Sequence, residues 1–392
     1  MQKTLKRKFQ IRPRKRRRSR IEPWIVLIIS GVLIYITQQC STYRSSKESL
    51  TGETASVRGD FRIMFYNVEN LFDTWQDSIT RDEDFLPEGT NRWTYTRYTD
   101  KLNKIFKVIA AAGGREAPEI VGLCEVENRL VLEDLLRKTP LGKAKYKIVH
   151  RDSPDPRGID VALLYRPEKL ALLYWEFIPV THANGMIAET REMIYVKGLL
   201  SNQDTLHVFV CHWPSKLNGA AAERLRNRAA ERLRSKTDSL FLADPASKIL
   251  IGGDFNDSPK SPTIMQHLLA QSFNDQKNAH KPDPKYESDP GHETRSQHIL
   301  INLSVPNKNG TGTYSYQGQW DLIDQIIVSK PLTKTSDPTH ISSARYQIFS
   351  GAFLLEYSEK ALITRPFRTY RGPMYLGGYS DHLPVFIDLV LK

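Results

Sequence analysis

Apolar residues come along this chain in short runs, and run after run stops at a cluster of polar side chains. Residues 248–253 read as a buried strand that ends in two glycines and then Asp254-Phe255-Asn256-Asp257. The same pattern recurs at 62–66, which ends in Asn67-Val68-Glu69-Asn70, and at 119–124, which ends in Glu125-Val126-Glu127-Asn128. Residues 205–211 run into His212-Trp213-Pro214-Ser215, 320–328 carry Asp324 in mid-run, and a last strand from 383 follows Asp381-His382. Further strands are predicted at 160–165, 170–178 and 191–200. Helical spacing appears at 98–112 (Tyr98, Leu102, Ile105, Ile109), closed by Gly113-Gly114, then at 129–137 and 219–243. The arginines of 219–243 read as its solvated face. Residues 271–312 are polar and aperiodic, so they are expected to be long loops with His280, His292 and His298 in solvent. Alternating strand and helix signals predict an α/β architecture, its sheets covered by helices.

With 392 residues the chain can bury one large α/β domain or two ordinary ones. Its net charge of +12 would suggest a nucleic-acid partner if it were spread over the surface. It is not: eleven lysines and arginines fall between Lys3 and Arg20, which leaves about one net positive charge for everything else. Bulk charge is therefore no argument for DNA binding. An uncharged apolar stretch follows the basic block from Trp24 to Thr37, and counted from Pro23 to Gln39 it is about the minimum needed to cross a bilayer.

The expected organisation is a basic cytoplasmic tail at 1–22, a transmembrane signal anchor at 23–40, a linker at 41–60 and a catalytic domain at 61–392. The positive-inside rule places that domain on the exoplasmic (periplasmic) side of an inner, cytoplasmic membrane. A cleaved signal peptide would have a shorter apolar region, and lipoprotein processing at Cys40 is poorly matched because no small residue precedes the cysteine. A nucleic-acid-binding basic arm is weaker still beside an apolar span. Of three cysteines, Cys124 and Cys211 end apolar runs and are expected as buried free thiols.

Each strand-end residue has a bland account alone: Asn67 a turn former, Glu125 a helix-start carboxylate, His212 a half-buried histidine, Asp324 a satisfied strand carboxylate. Repetition at six strands points instead to a shared site, because loops at strand ends expose side chains that a rigid sheet positions. A carboxylate within an apolar strand needs a partner, and a histidine is the natural one.

Together, the motifs at 65–70, 124–127, 212–215, 253–257, 322–324 and 380–384 make residues 61–391 resemble the endonuclease/exonuclease/phosphatase family of deoxyribonucleases, abasic-site endonucleases, sphingomyelinases and inositol-polyphosphate phosphatases. The resemblance implies a four-layer sandwich of two mixed β-sheets flanked by helices, with a phosphoester-cleaving site at one rim. It implies Mg²⁺, with Mn²⁺ or Ca²⁺ as alternatives, bound by Glu125, with Glu69 as a second ligand and Asp381 near a second metal position. It also implies that Asn67 hydrogen-bonds beside the metal, that Asp254 and Asn256 orient water and phosphoryl oxygens, and that His382, held by Asp324, is base or electrostatic partner. His212 would donate to the leaving oxygen or stabilise the phosphoryl charge, with Asp160 as the candidate to orient it.

That casting suits a reaction that builds negative charge on oxygen and wants a hard cation with fixed donors. Histidine at 212, where the abasic-site repair branch carries asparagine, disfavours DNA repair. Gln325 stands where relatives often carry an aromatic residue at the substrate wall. The expected function is a membrane-anchored Mg²⁺-dependent phosphodiesterase, endonuclease-like, acting on a nucleic acid or a phospholipid. The alternatives are a phospholipid or sugar phosphoesterase and a non-catalytic binding module; no protein partner is identifiable.

Overall fold

The computed structural model describes residues 58–273, 298–306, 310, 312–343, 345–358 and 363–392. Two seven-stranded sheets dominate it. The first is built from β1 (Phe61–Leu71), β2 (Ile120–Val126), β3 (Lys147–His150) and β4 (Asp160–Tyr165), together with Thr339–Ile341, Gln347–Ile348 and the last strand Val385–Leu391. The second runs in the order β5 (Leu170–Ile178), β6 (Met193–Leu200), β7 (Thr205–His212), β8 (Lys248–Asp254), Asp324–Ser329, Leu300–Asn302 and Ala270–Ser272. Both sheets are mixed: β1 pairs parallel with β2 and antiparallel with Val385–Leu391, while β7 pairs parallel with β8 and antiparallel with β6.

Period-two alternation decides which side chain faces which layer. On β7 and β8, Val208, Val210 and Leu250 join the core between the sheets, which also holds Ile63 and Phe65 of β1. Their neighbours Phe209, Cys211, Ile249 and Ile251 turn outward onto helix α3 (Gly219–Ala243), meeting Ala229, Ala230, Leu233 and Phe241. Helices α1 (Tyr95–Gly113) and α2 (Arg129–Lys138) close the core on the side of the first sheet with Leu102, Ile105, Ile109, Val131 and Leu132. Each such buried aliphatic side chain contributes roughly 1.5–3 kcal/mol. Local signals set the helix ends: Thr94 caps α1, Asn128 caps α2 by accepting from the Val131 N–H at 3.1 Å, and Gly114, with φ 75°, stops α1.

Phe65 fixes how closely the sheets approach. Its ring lies so near that a Cβ on Gly122 of β2 would sit 2.6 Å from it, and one on Gly252 of β8 only 2.2 Å. Glycine is required on both sides of that ring.

Several expectations change. Asp324 opens its strand rather than lying inside it, because Gln319–Asp321 pairs away with Tyr314–Tyr316 as a separate hairpin. His298 is buried, stacked on Phe241 at 5.0 Å, and not in solvent. Arg226 and Arg234 of α3 are buried too, donating to the carbonyls of Pro214 and His298; an arginine stem packs like an apolar chain while its head pins a loop. Cys124 and Cys211 are buried and free. No helix among the described residues is long and apolar enough to cross a membrane. The expected anchor at 23–40, most of the linker, His280 and His292 lie outside the described residues.

Candidate active site

The site is built where both sheets end on the same side. In the second sheet, β8 brings Asp254 level with His212 on its parallel neighbour and with Asp324 on its antiparallel one. In the first, β1 and β2 stay in register to Asn67–Cys124 and then slip, because β1 spends three residues before Leu71 where β2 spends only Glu125. Such bulges re-aim side chains at the ends of sheets. Glu69 (φ 55°), Asn70 (φ 55°) and Glu125 (φ 64°) accordingly take left-handed backbone, as does Asn256 (φ 49°) beyond β8. Each such non-glycine position costs about 1–2 kcal/mol.

Asp254 is the hub. Its Oδ2 accepts from Asn67 Nδ2 of the other sheet at 3.0 Å and from Asn256 Nδ2 at 3.3 Å, while its Oδ1 accepts the Asn256 N–H at 2.8 Å. His212 Nε2 lies 3.7 Å from the same Oδ2, and His382 Nε2 lies 3.8 Å from it. Burial, with Asp324 nearby, lifts the Asp254 carboxyl to about 7, although His382, the Asn256 N–H and Asn67 oppose the rise. His382 Nδ1 meets Asp324 Oδ2 at 2.8 Å, and the Asp324 N–H is itself held by Thr313 Oγ1.

The two histidines are driven apart. Burial opposes charge on His382, but Asp324 and Asp254 outweigh it and hold its pKa well above the usual value. Burial and the guanidinium groups of Arg191 and Arg157 push His212 well below it. One imidazole is therefore cationic and the other neutral at the same rim.

Glu125 accepts from Asn67 Nδ2 at 3.2 Å and from the Asn70 N–H at 2.9 Å, and its side chain keeps 17% exposure. Asp381 is similarly open at 16%, with Oδ2 taken by Arg368 Nη2 at 2.6 Å. Both are partly exposed carboxylates, the hard oxygen donors that Mg²⁺ prefers. Five carboxylates gather here (Glu69, Glu125, Asp254, Asp324 and Asp381) against Lys101, Arg368 and His382, so a divalent cation fits the charge the site lacks. Asp254, Asp324 and His382 also bring ligand atoms within 4.8 Å of one another, but there the histidine is already committed to Asp324.

Two expected residues are placed differently. Glu69 is buried, and its carboxylate accepts the N–H groups of Thr369 (2.6 Å) and Tyr370 (3.4 Å) and Arg368 Nε (3.4 Å). Buried and tied to that backbone, it anchors the 368–370 segment and lacks the exposure that Glu125 and Asp381 keep. Asp160 does not orient His212: it accepts from Ser153 and faces His150 Nε2 at 3.5 Å, while His212 Nδ1 has no hydrogen-bond partner. The bulge at Val126–Asp160 turns this carboxylate toward the β3–β4 hairpin. Gln325 forms no substrate wall, being buried against Asn302 and the Asp257 carbonyl on the opposite face from Asp324.

Three further residues complete the rim. Tyr314 bridges to His382 through backbone, with ring centroids 4.9 Å apart. Arg191 donates to Asp155 and to the Trp213 carbonyl, fixing the turn after His212. Lys101 lies beneath the acidic cluster, where burial lowers its ammonium to about 8 while Glu69, Asp381 and Glu125 hold it up. Its signal was a lysine on the apolar stripe of α1.

The family model described as "Endonuclease/Exonuclease/phosphatase family" matches residues 62–391. No curated protein matches the sequence. Among solved structures, the human Nocturnin catalytic domain is similar at 14% identity over 86% of this chain and 96% of that chain, with a TM-score of 0.47. D. rerio TDP2 complexed with a single-strand DNA product is similar at 13% identity (84% and 98% covered, TM-score 0.48). A mannosyl-6-phosphatase of Bacteroides thetaiotaomicron is similar at 15% (85% and 100% covered, TM-score 0.47).

Proposed function

The chain belongs to the endonuclease/exonuclease/phosphatase family, metal-dependent hydrolases of phosphoester bonds, and we propose that it cleaves phosphodiesters with Mg²⁺. The observation that carries the reading is Asp254, set between a neutral and a cationic histidine beside two open carboxylates. Glu125 would hold the ion, with Asp381 facing it. The cation supplies Lewis-acid neutralisation of the phosphoryl oxygens.

The chain's own residues do the rest. Asp254, fixed by Asn67 and the Asn256 N–H, takes a proton from the attacking water; its raised pKa makes it a stronger base than an ordinary aspartate. His382 already carries its proton at neutral pH, so of the two roles implied for it the electrostatic one is favoured. Neutral His212 donates a hydrogen bond toward the leaving oxygen. Residues 23–40 would anchor the chain in the membrane, with 1–22 cytoplasmic and the catalytic domain exoplasmic.

The test is turnover of a panel of phosphodiesters, nucleic acid and phospholipid, by the purified full-length protein with and without EDTA. Chelation and His382→Ala should each abolish activity, with a loss of about 10²- to 10⁴-fold in kcat for the variant. No metal-dependent turnover on any phosphodiester sinks the reading; cleavage of phosphomonoesters alone moves the substrate to sugar phosphates.

A further inference from the structure

Lys101 is among the largest fully buried side chains of the domain, 1% exposed. It rides on the inward stripe of α1 with Tyr98, Leu102 and Ile105, where an apolar residue would ordinarily stand. Its Nζ donates to Thr369 Oγ1 and, at 2.7 Å, to the Tyr379 carbonyl. Among the described residues it forms no ion pair within 4.0 Å, so its charge has no private counterion. A desolvated ammonium is costly and persists only where the surrounding field favours it. The carboxylates supplying that field are Glu69, Asp381 and Glu125.

Both acceptors of Lys101 lie on one arm of chain. That arm begins at Arg368, which reaches Asp381 and Glu69, continues through Thr369 and Tyr370, whose N–H groups cover Glu69, and returns through Tyr379 to Asp381. Ser380 ties the same arm to β1 by donating to the Asn67 carbonyl at 2.7 Å. Lys101 thus pins the arm that presents Asp381 and places a positive charge in the field of Glu125 and Asp381.

We propose that Lys101 is a positioning residue of the phosphoester site, a buried fixed cation that weakens and thereby sets the affinity of Glu125 and Asp381 for their divalent ion. This rests on the metal-dependent reading above. A purely structural tether and a charge-setting residue predict opposite signs. Losing a tether loosens the arm and weakens metal binding. Losing the charge leaves the same carboxylates facing the ion with one fewer positive neighbour, and binding tightens. Even after screening by water and salt in an open site, a unit charge acting on a nearby divalent ion is worth at least about tenfold in affinity.

The experiment is calorimetric titration of the full-length protein with MgCl₂ alone, comparing wild type, Lys101→Met, Lys101→Gln and the double variant Lys101→Met/Glu69→Gln, with near-UV circular dichroism as the check on folding. The single variants should bind Mg²⁺ at least about tenfold more tightly while phosphodiester turnover falls. The double variant, which removes one charge of each sign, should return to within about threefold of wild type. Lys101→Gln keeps a donor for the Tyr379 carbonyl and serves where Lys101→Met does not fold. Unchanged or weaker Mg²⁺ binding in a folded single variant overturns the proposal. Absence of Mg²⁺ binding in wild type overturns the functional reading itself, so the two failures are distinguishable.

Discussion

His382 Nδ1 sits 2.8 Å from Asp324 Oδ2, a contact joining residues 58 positions apart, and it leaves Nε2 facing Asp254 at 3.8 Å. The carboxylate fixes both the orientation and the charge of the ring. Asp324→Asn keeps the shape and removes the charge, so His382 should lose the proton it now holds at neutral pH. The expected outcome is a fall in kcat of about 10²- to 10⁴-fold with KM nearly unchanged. Steady-state kinetics on the best substrate of the panel checks it, and a loss confined to KM would contradict the assignment.

His207 gives a prediction about stability, away from the chemistry. It is buried on β7, its Nδ1 2.7 Å from the Tyr195 hydroxyl, and burial with Lys197 nearby lowers its pKa to about 4. The folded value lies below the unfolded one, near 6.5, so the unfolded chain takes the proton first. Stability from this group is therefore complete above about pH 6.5 and is lost as pH falls toward 4. Between pH 7 and pH 5 wild type should lose about 2 kcal/mol that His207→Gln does not, read from urea unfolding at both pH values.

Gly252→Ala tests the spacing of the sheets. The added methyl would meet the Phe65 ring at 2.2 Å, and that ring is held from its other side by β2 at Gly122. Overpacking of this kind costs about 1–3 kcal/mol, and Phe65→Ala, which empties the space, about 3–5 kcal/mol. In the double variant the clash is relieved, so its loss should be smaller than the sum of the two. Thermal melts of all three proteins decide it; simple additivity would mean that the ring does not bridge the sheets.

Much of the rim was legible because strand ends announce themselves, an apolar run giving way abruptly to polar residues. Asn67, Glu125, His212, Asp254 and Asn256 fall at such points, while Asp324 reads as a carboxylate inside an apolar run and His382 as the residue just before one; the structure brings all seven together. What was not legible depends on partners distant in sequence. Glu69 looks like a free carboxylate until Thr369 and Tyr370 arrive to cover it. Asp160 looks like a histidine's partner, but hairpin geometry selects His150 and Ser153. Arg226 and Arg234 count as polar in any periodicity, although their stems are buried. Lys101 broke the stripe of α1, which is a signal only if a lysine on an apolar face is treated as an exception with a cause.

The left-handed residues at the rim have an implication for how this domain would respond to selection. Glu69, Asn70, Glu125 and Asn256 hold conformations in which glycine would be more comfortable. Relaxing any of them would tend to harden the fold while removing a group that faces the cleft or supports one that does. Stability and chemistry are thus opposed at these four positions, and variants chosen in the laboratory only for heat resistance should drift toward silence there first.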